Sequence, residues 1–146
     1  MPDQSPPPSL VLVAVGDEAK RQAIARALRE AEYAVTEAGT GTDAVRLSAA
    51  GPALVVLDAG LLDADGADVC RRLKADPATA SIPVLQISAS HADPGRQAPG
   101  TECEADAYLT HAAEPAVFPA TVRALLRMRR AEEDAQAAAR AWQTTF

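Results

Sequence analysis

The sequence predicts an α/β domain built on a parallel sheet with helices on both faces. Two observations carry this. Short apolar runs alternate with amphipathic segments along the chain, the order that produces parallel strands joined by crossover helices. The run Ala53 to Leu57, ALVVL, is almost wholly apolar, as a central parallel strand covered on both sides requires.

The elements follow in order. Leu10 to Val15 is the first strand. Glu18 to Ala31 reads as a helix because Ala23, Ile24, Ala27, Leu28 and Ala31 fall on one face. Tyr33 to Ala38 is the second strand, and Thr42 to Ala50 the second helix, with Ala44, Val45 and Leu47 apolar. After the third strand, Ala53 to Leu57, a helix runs from Asp68 to Ala75 and is stopped by Pro77. Ile82 to Ile87 is the fourth strand and Ala105 to Leu109 the fifth. A final helix begins near Pro115, which suits a first turn, and runs from Val117 to about Trp142. The crossovers should be right-handed. The fourth helical slot departs from the pattern. Between Ser90 and Asp106, HADPGRQAPGTECEA sets Pro94, Gly95, Pro99 and Gly100 too close for a stable interior helix, so a short, distorted or mobile element is expected.

Composition narrows the function. A chain of 146 residues, 48% hydrophobic and 23% charged, suits one globular core. A net charge of -6 disfavours nucleic acid as partner, because phosphate contacts need clustered Lys and Arg. The Arg127 to Arg130 run is short and helical and reads as a solvated face. Cys70 and Cys103 lack the close spacing of a redox pair or metal knuckle, so free thiols in a reducing compartment are expected. The opening MPDQSPPPS has neither a basic start nor an apolar run and reads as a disordered leader. No stretch approaches the roughly 20 apolar residues of a membrane span. The expectation is a cytoplasmic protein without membrane contact, divided into a leader (1–9), one domain (10–130) and a helical linker toward a following domain (131–146).

In open parallel sheets, functional groups gather beyond the carboxyl ends of the strands. Here those ends carry Gly16 and Asp17, Asp58, Ser88, and Thr110 with His111. Asp58 follows an apolar strand, so its carboxylate is expected at the rim and not in the core. From position alone it could equally cap a turn. The segment DADG, Asp63 to Gly66, is a turn leading into a helix. Dinucleotide binding has no support: GxGxxG is absent, and Gly39-Thr40-Gly41 stands alone. Tyr33, Tyr108, Phe118, Trp142 and Phe146 read as core or tail residues and not as a flavin site.

The element order, LDAGLLDADG from Leu57 to Gly66, CRRLKADPATASIPVLQISA from Cys70 to Ala89, and DAYLT from Asp106 to Thr110 together resemble the receiver domain of bacterial two-component response regulators. The resemblance covers about residues 10 to 130. It implies a flavodoxin-like (βα)5 fold with strand order 2-1-3-4-5, and a signalling domain, not an enzyme. It implies further that Asp58 accepts a phosphoryl group from a histidine kinase, that Ser88 is the hydroxyl residue sensing that group, and that Tyr108 is the aromatic residue that swings inward on activation. Family members hold Mg²⁺ with two acids after the first strand, the acceptor Asp and the carbonyl two residues on, here Gly60. A Lys after the fifth strand adds a cation, normally followed by a cis Pro. Both offset charge on the transferring oxygens.

The sequence departs from that pattern at each support position. Matching Glu32-Tyr33 to the family's Gly-aromatic pair puts the acid pair on Val15 and Gly16, neither of which has a carboxylate. Asp17 is expected to be the N-cap of the first helix, its oxygen accepting orphan N–H groups, with a loose role near a metal left open. The Lys position is His111, largely neutral at pH 7 unless an anion raises its pKa. The Pro position is Ala112, and Leu62 stands where a Pro usually follows the third strand. The metal set therefore shrinks to Asp58 and Gly60, with Asp17 at best peripheral, and Mg²⁺ should bind weakly or not at all. The expected function is a degenerate receiver, a pseudo-receiver, that works by protein–protein contact. The alternative is a phosphorylatable receiver whose metal site is rebuilt by Asp17 or Glu18.

Leu125, Met128, Ala131, Ala135, Ala138 and Trp142 recur at spacings of three and four, so an apolar stripe continues past the domain core. It reads either as a solvated tail or as a signalling linker pairing in a homodimer, weakly because Ala buries little area. The ending, with Trp142 and Phe146, resembles the junction between a receiver and a PAS-type module in multidomain sensor kinases. The expected partners are a histidine kinase or a downstream domain of the same chain.

Overall fold

The computed structural model describes residues 9–88, 105–110 and 114–145. Its strands are β1 (Leu10–Ala14), β2 (Ala34–Ala38), β3 (Leu54–Asp58), β4 (Val84–Ser88) and β5 (Ala107–Thr110). They form one parallel sheet in the order β2-β1-β3-β4-β5, as the resemblance implied. Its helices are α1 (Glu18–Glu30), α2 (Gly41–Ser48), α3 (Gly66–Ala75) and α4 (Val117–Thr145).

Alternation along the strands builds two cores. In and just after β1, Val11, Val13 and Val15 face one side, where Ile24 and Leu28 of α1 and Phe118, Val122 and Leu125 of α4 meet them. Leu12 and Ala14 face the other, against Ala44 of α2 and Val69, Cys70 and Leu73 of α3. Every residue of β3 is buried, which its unbroken apolar run anticipates.

Local chemistry sets the helix ends. α1 has acidic Glu18 in its first turn and basic Arg29 in its last, both favourable to the helix dipole. Asp17 occupies the N-cap position, yet its side chain makes no capping hydrogen bond. The expected cap is therefore corrected: only the backbone carbonyl of Asp17 is engaged, accepting from the N–H of Arg21 at 2.8 Å. After α1 the chain reverses through Glu32, whose φ of 72° is left-handed, and the N–H of Tyr33 returns to the Leu28 carbonyl at 3.0 Å. α2 is capped by Thr40, whose hydroxyl accepts from the N–H of Asp43 at 3.1 Å. α3 starts two residues earlier than expected because Asp65 caps it, accepting from the N–H of Ala67 at 3.1 Å.

The ordered run from α3 into β4 has a structural explanation. Lys74 Nζ donates to the carbonyls of Ala80 (3.3 Å) and Ile82 (3.0 Å) and pairs with Asp106 at 3.1 Å. The same Asp106 oxygen accepts from the N–H of Val84 at 2.7 Å. One ion pair thus ties α3 to the starts of β4 and β5. Cys70 is buried and disulfide-bonded, which corrects the expected free thiol; Cys103 lies outside the described residues. So do the fourth helical slot, His111 and Ala112.

Candidate functional site

Asp58 ends β3, paired in register with Ile87 of β4. It continues the row of Leu54 and Val56, and it is only 3% exposed. The expectation of a carboxylate at the rim holds for its place in the strand and fails for its exposure. The loops after β1 and β3 fold over this end of the sheet. The N–H of Ala59 bonds the Ile87 carbonyl at 3.2 Å, and the N–H of Gly66 turns back to the Ala59 carbonyl at 2.9 Å. Gly66 packs so closely on the Asp58 carbonyl that a Cβ there would overlap it. This is the physical need behind the DG pair at the start of α3.

The β3–α3 loop is fastened along its length. Gly60 forms an antiparallel bridge with Asp65. The N–H of Leu62 bonds the Gly39 carbonyl at 3.2 Å. The Asp63 carboxylate reaches the N-terminus of α2, accepting from the N–H of Gly41 at 2.5 Å and the hydroxyl of Thr42 at 2.8 Å. These bonds hold its pKa below the ordinary carboxylate value, the Gly41 N–H contributing most. The α2 anchor was invisible in the sequence, where Asp63 looked like a local turn residue.

At the end of β1, Val15 is buried and Gly16 follows it into the loop. Arg21, one turn into α1, donates from Nη1 to the Val15 carbonyl at 3.0 Å while its Nε lies 3.4 Å from Glu37 of β2. Sequence reasoning missed this clamp too. Gly16 lies against the β3–α3 loop: a Cβ built on it would stand 2.5 Å from the Gly60 oxygen and 3.3 Å from the Cα of Leu61. Glu32, ahead of Tyr33, has the left-handed φ that glycine adopts most readily.

Asp17 and Glu18 are exposed. Among the described residues no three His, Cys, Asp or Glu side chains come together to hold a metal ion. Among the described residues, the donors that the family's pattern would use at this end of the sheet are the Asp58 carboxylate and the Gly60 carbonyl, and the oxygen of the latter lies where a Cβ on Gly16 would stand. That set fits a Mg²⁺ ion poorly, since Mg²⁺ demands near-octahedral oxygen geometry. Ser88 ends β4, its backbone in register with Thr110 of β5. Tyr108 of β5 is half exposed, and its hydroxyl oxygen accepts from the N–H of Ala105 at 3.2 Å; its ring lies at the surface.

The sheet order, Asp58 at the tip of the central strand and a fastened β3–α3 loop agree with a match to the response regulator receiver domain over residues 11–123. The chain belongs to this family. Among curated relatives, it is 34% identical over 121 residues to the transcriptional regulatory protein AfsQ1 of Streptomyces coelicolor, covering 82% of this chain and 52% of that protein. It is 33% identical over 120 residues to the response regulator PleD of Caulobacter vibrioides, covering 82% of this chain and 26% of that protein. The chain thus spans about half or less of the length of these relatives. Among solved structures, it superposes on the signal receiver domain of a signal transduction histidine kinase from Syntrophus aciditrophicus with a TM-score of 0.74 at 28% identity, covering 82% and 90% of the two chains. Receiver domains are signalling modules of two-component systems, and no helix among the described residues is long and apolar enough to cross a membrane.

Proposed function

We propose that this receiver transmits its signal by protein–protein contact, with weak or absent phosphorylation of Asp58, as a pseudo-receiver. The observation that carries the reading is Gly16, which brings no carboxylate to the metal-acid position and abuts the Gly60 carbonyl. A carboxylate attacking a phosphoryl donor builds up negative charge on the transferring oxygens, and without a bound cation that charge is poorly offset. In this reading Mg²⁺ binds weakly or not at all, Asp58 and Ser88 are relics of the transfer site, His111 replaces its Lys, and Tyr108 is a signalling contact. The partner is a histidine kinase or a downstream domain of the same chain, in the cytoplasm. The exposed end of α4 serves as the linker, and two copies can pair along it.

A second reading rests on one observation: the Asp17 carboxylate makes no capping bond. A metal site rebuilt by Asp17 or Glu18 would then give a phosphorylatable receiver. The two readings separate in one experiment. The full chain is incubated with a small-molecule phosphodonor and Mg²⁺, and intact mass is followed over time. The first reading expects little or no adduct. Rapid stoichiometric modification, abolished by Asp58→Asn, would overturn it, and further loss of the adduct in Asp17→Asn would establish the second.

A further inference from the structure

The absence of an acid at position 16 admits two physical situations. Either an open slot is short of one ligand, or the slot itself has closed. We infer that the slot is closed by backbone. The inference rests on the placing of Gly16 at the metal-acid position and deepens the reading above.

Three contacts on two sides produce the closure. Arg21 holds the Val15 carbonyl from α1, at 3.0 Å, and is braced by Glu37, which sets the direction in which Gly16 leaves β1. From the other side, the β3–α3 loop is held by the Leu62 N–H on the Gly39 carbonyl and by Asp63 on α2. Between these anchors the two loops meet, and the space a side chain at 16 would need is taken: its first carbon would lie 2.5 Å from the Gly60 oxygen and 3.3 Å from the Cα of Leu61. Both obstacles are backbone atoms, which cannot rotate aside as a side-chain end can. The φ of Gly16 is not in the left-handed region, so the glycine is required here by proximity and not by backbone conformation. The oxygen of the Gly60 carbonyl, the family's metal ligand, lies in the space where a side chain at 16 would begin. Restoring the missing acid by one substitution would therefore not restore the metal site.

The test uses the full chain in three forms, wild type, Gly16→Ala and Gly16→Asp, with Mn²⁺ as the probe. Free Mn²⁺ is read by electron paramagnetic resonance, and thermal midpoints are measured without metal. Closure expects Gly16→Ala to melt roughly 2 to 10 °C below wild type, although Ala at an ordinary φ would otherwise be neutral or stabilising. It expects Gly16→Asp to melt lower still or fail to fold and, where folded, to leave the free Mn²⁺ signal at its wild-type level. A Gly16→Ala protein as stable as wild type, or a Gly16→Asp protein that takes up Mn²⁺ at least about tenfold more tightly than wild type, would overturn the closure. Those outcomes would leave the pseudo-receiver reading intact, because that reading fails only if the wild-type chain is phosphorylated at Asp58.

Discussion

Asp63 and Gly41 stand 22 positions apart, and the carboxylate of one accepts the first helical N–H of the other at 2.5 Å. Through this bond the loop carrying Gly60 is fixed to the N-terminus of α2, where the helix leaves donors unsatisfied and favours negative charge. The folded-state pKa of Asp63 is depressed by these bonds. A depressed carboxylate contributes stability at pH values above its unfolded pKa and loses that contribution as pH falls through the folded value. Asp63→Asn should therefore be less stable than wild type at neutral pH, and the gap should narrow below about pH 4. Urea denaturation of both proteins at pH 7 and pH 3 measures it; an equal gap at the two values would show that charge on Asp63 does not matter.

Gly66 carries a steric load at the other end of the same loop. A Cβ there would overlap the Asp58 carbonyl and stand 2.8 Å from the Cα of Ala59. In an ordinary helix interior Ala is preferred to Gly by about 1 kcal/mol. Here the sign should reverse, with Gly66→Ala destabilising by about 1 to 3 kcal/mol in chemical denaturation. A stabilised variant would mean that α3 shifts easily on β3.

The sheet, its order and the helix faces were legible because they rest on local periodicity: ALVVL could be buried only as a central strand, and Ile24 with Leu28 only on an inward face. Asp58 was legible as the residue ending that strand. Its burial was not, because the covering loops are held by bonds between distant positions, Leu62 to Gly39, Asp63 to Gly41 and Arg21 back to Val15. Lys74 and Asp106 share the difficulty, being 32 positions apart. Asp17 failed in the opposite sense. Its residue type and place were right for a cap, but a side chain's choice between a cap and solvent depends on its rotamer, which sequence does not encode.

Glu32 provides a prediction of the opposite sign. It sits at φ 72°, where an L side chain costs about 1 to 2 kcal/mol and glycine is nearly free. Set against the greater entropy glycine loses on folding, Glu32→Gly should raise stability by about 0.5 to 1 kcal/mol. Glu32→Ala, which keeps the Cβ, should gain little and serves as the control. If both substitutions act alike, the left-handed turn after α1 is not under strain.

α4 runs 29 residues, yet its ties to the domain end early. Leu125 is 6% exposed and Arg129 Nη1 donates to the Ala53 carbonyl at 3.0 Å, whereas residues 131–142 are all exposed. Removing Arg129 by substitution to Ala should cost about 1 kcal/mol, the net worth of a hydrogen bond to a charged donor that is partly solvated. Removing residues 132–146 should leave the thermal midpoint of a dilute sample within about 3 °C of the full chain, because residues 132–142 are exposed. Pairing along the exposed stripe would appear only on concentration: the full chain would gain midpoint and sedimenting mass while the shortened chain would not, as mass action requires. Ala side chains bury little area, so the association should be weak and the gain gradual. A monomer mass for both chains across the concentration range would remove pairing from the proposed function and leave α4 as a linker alone.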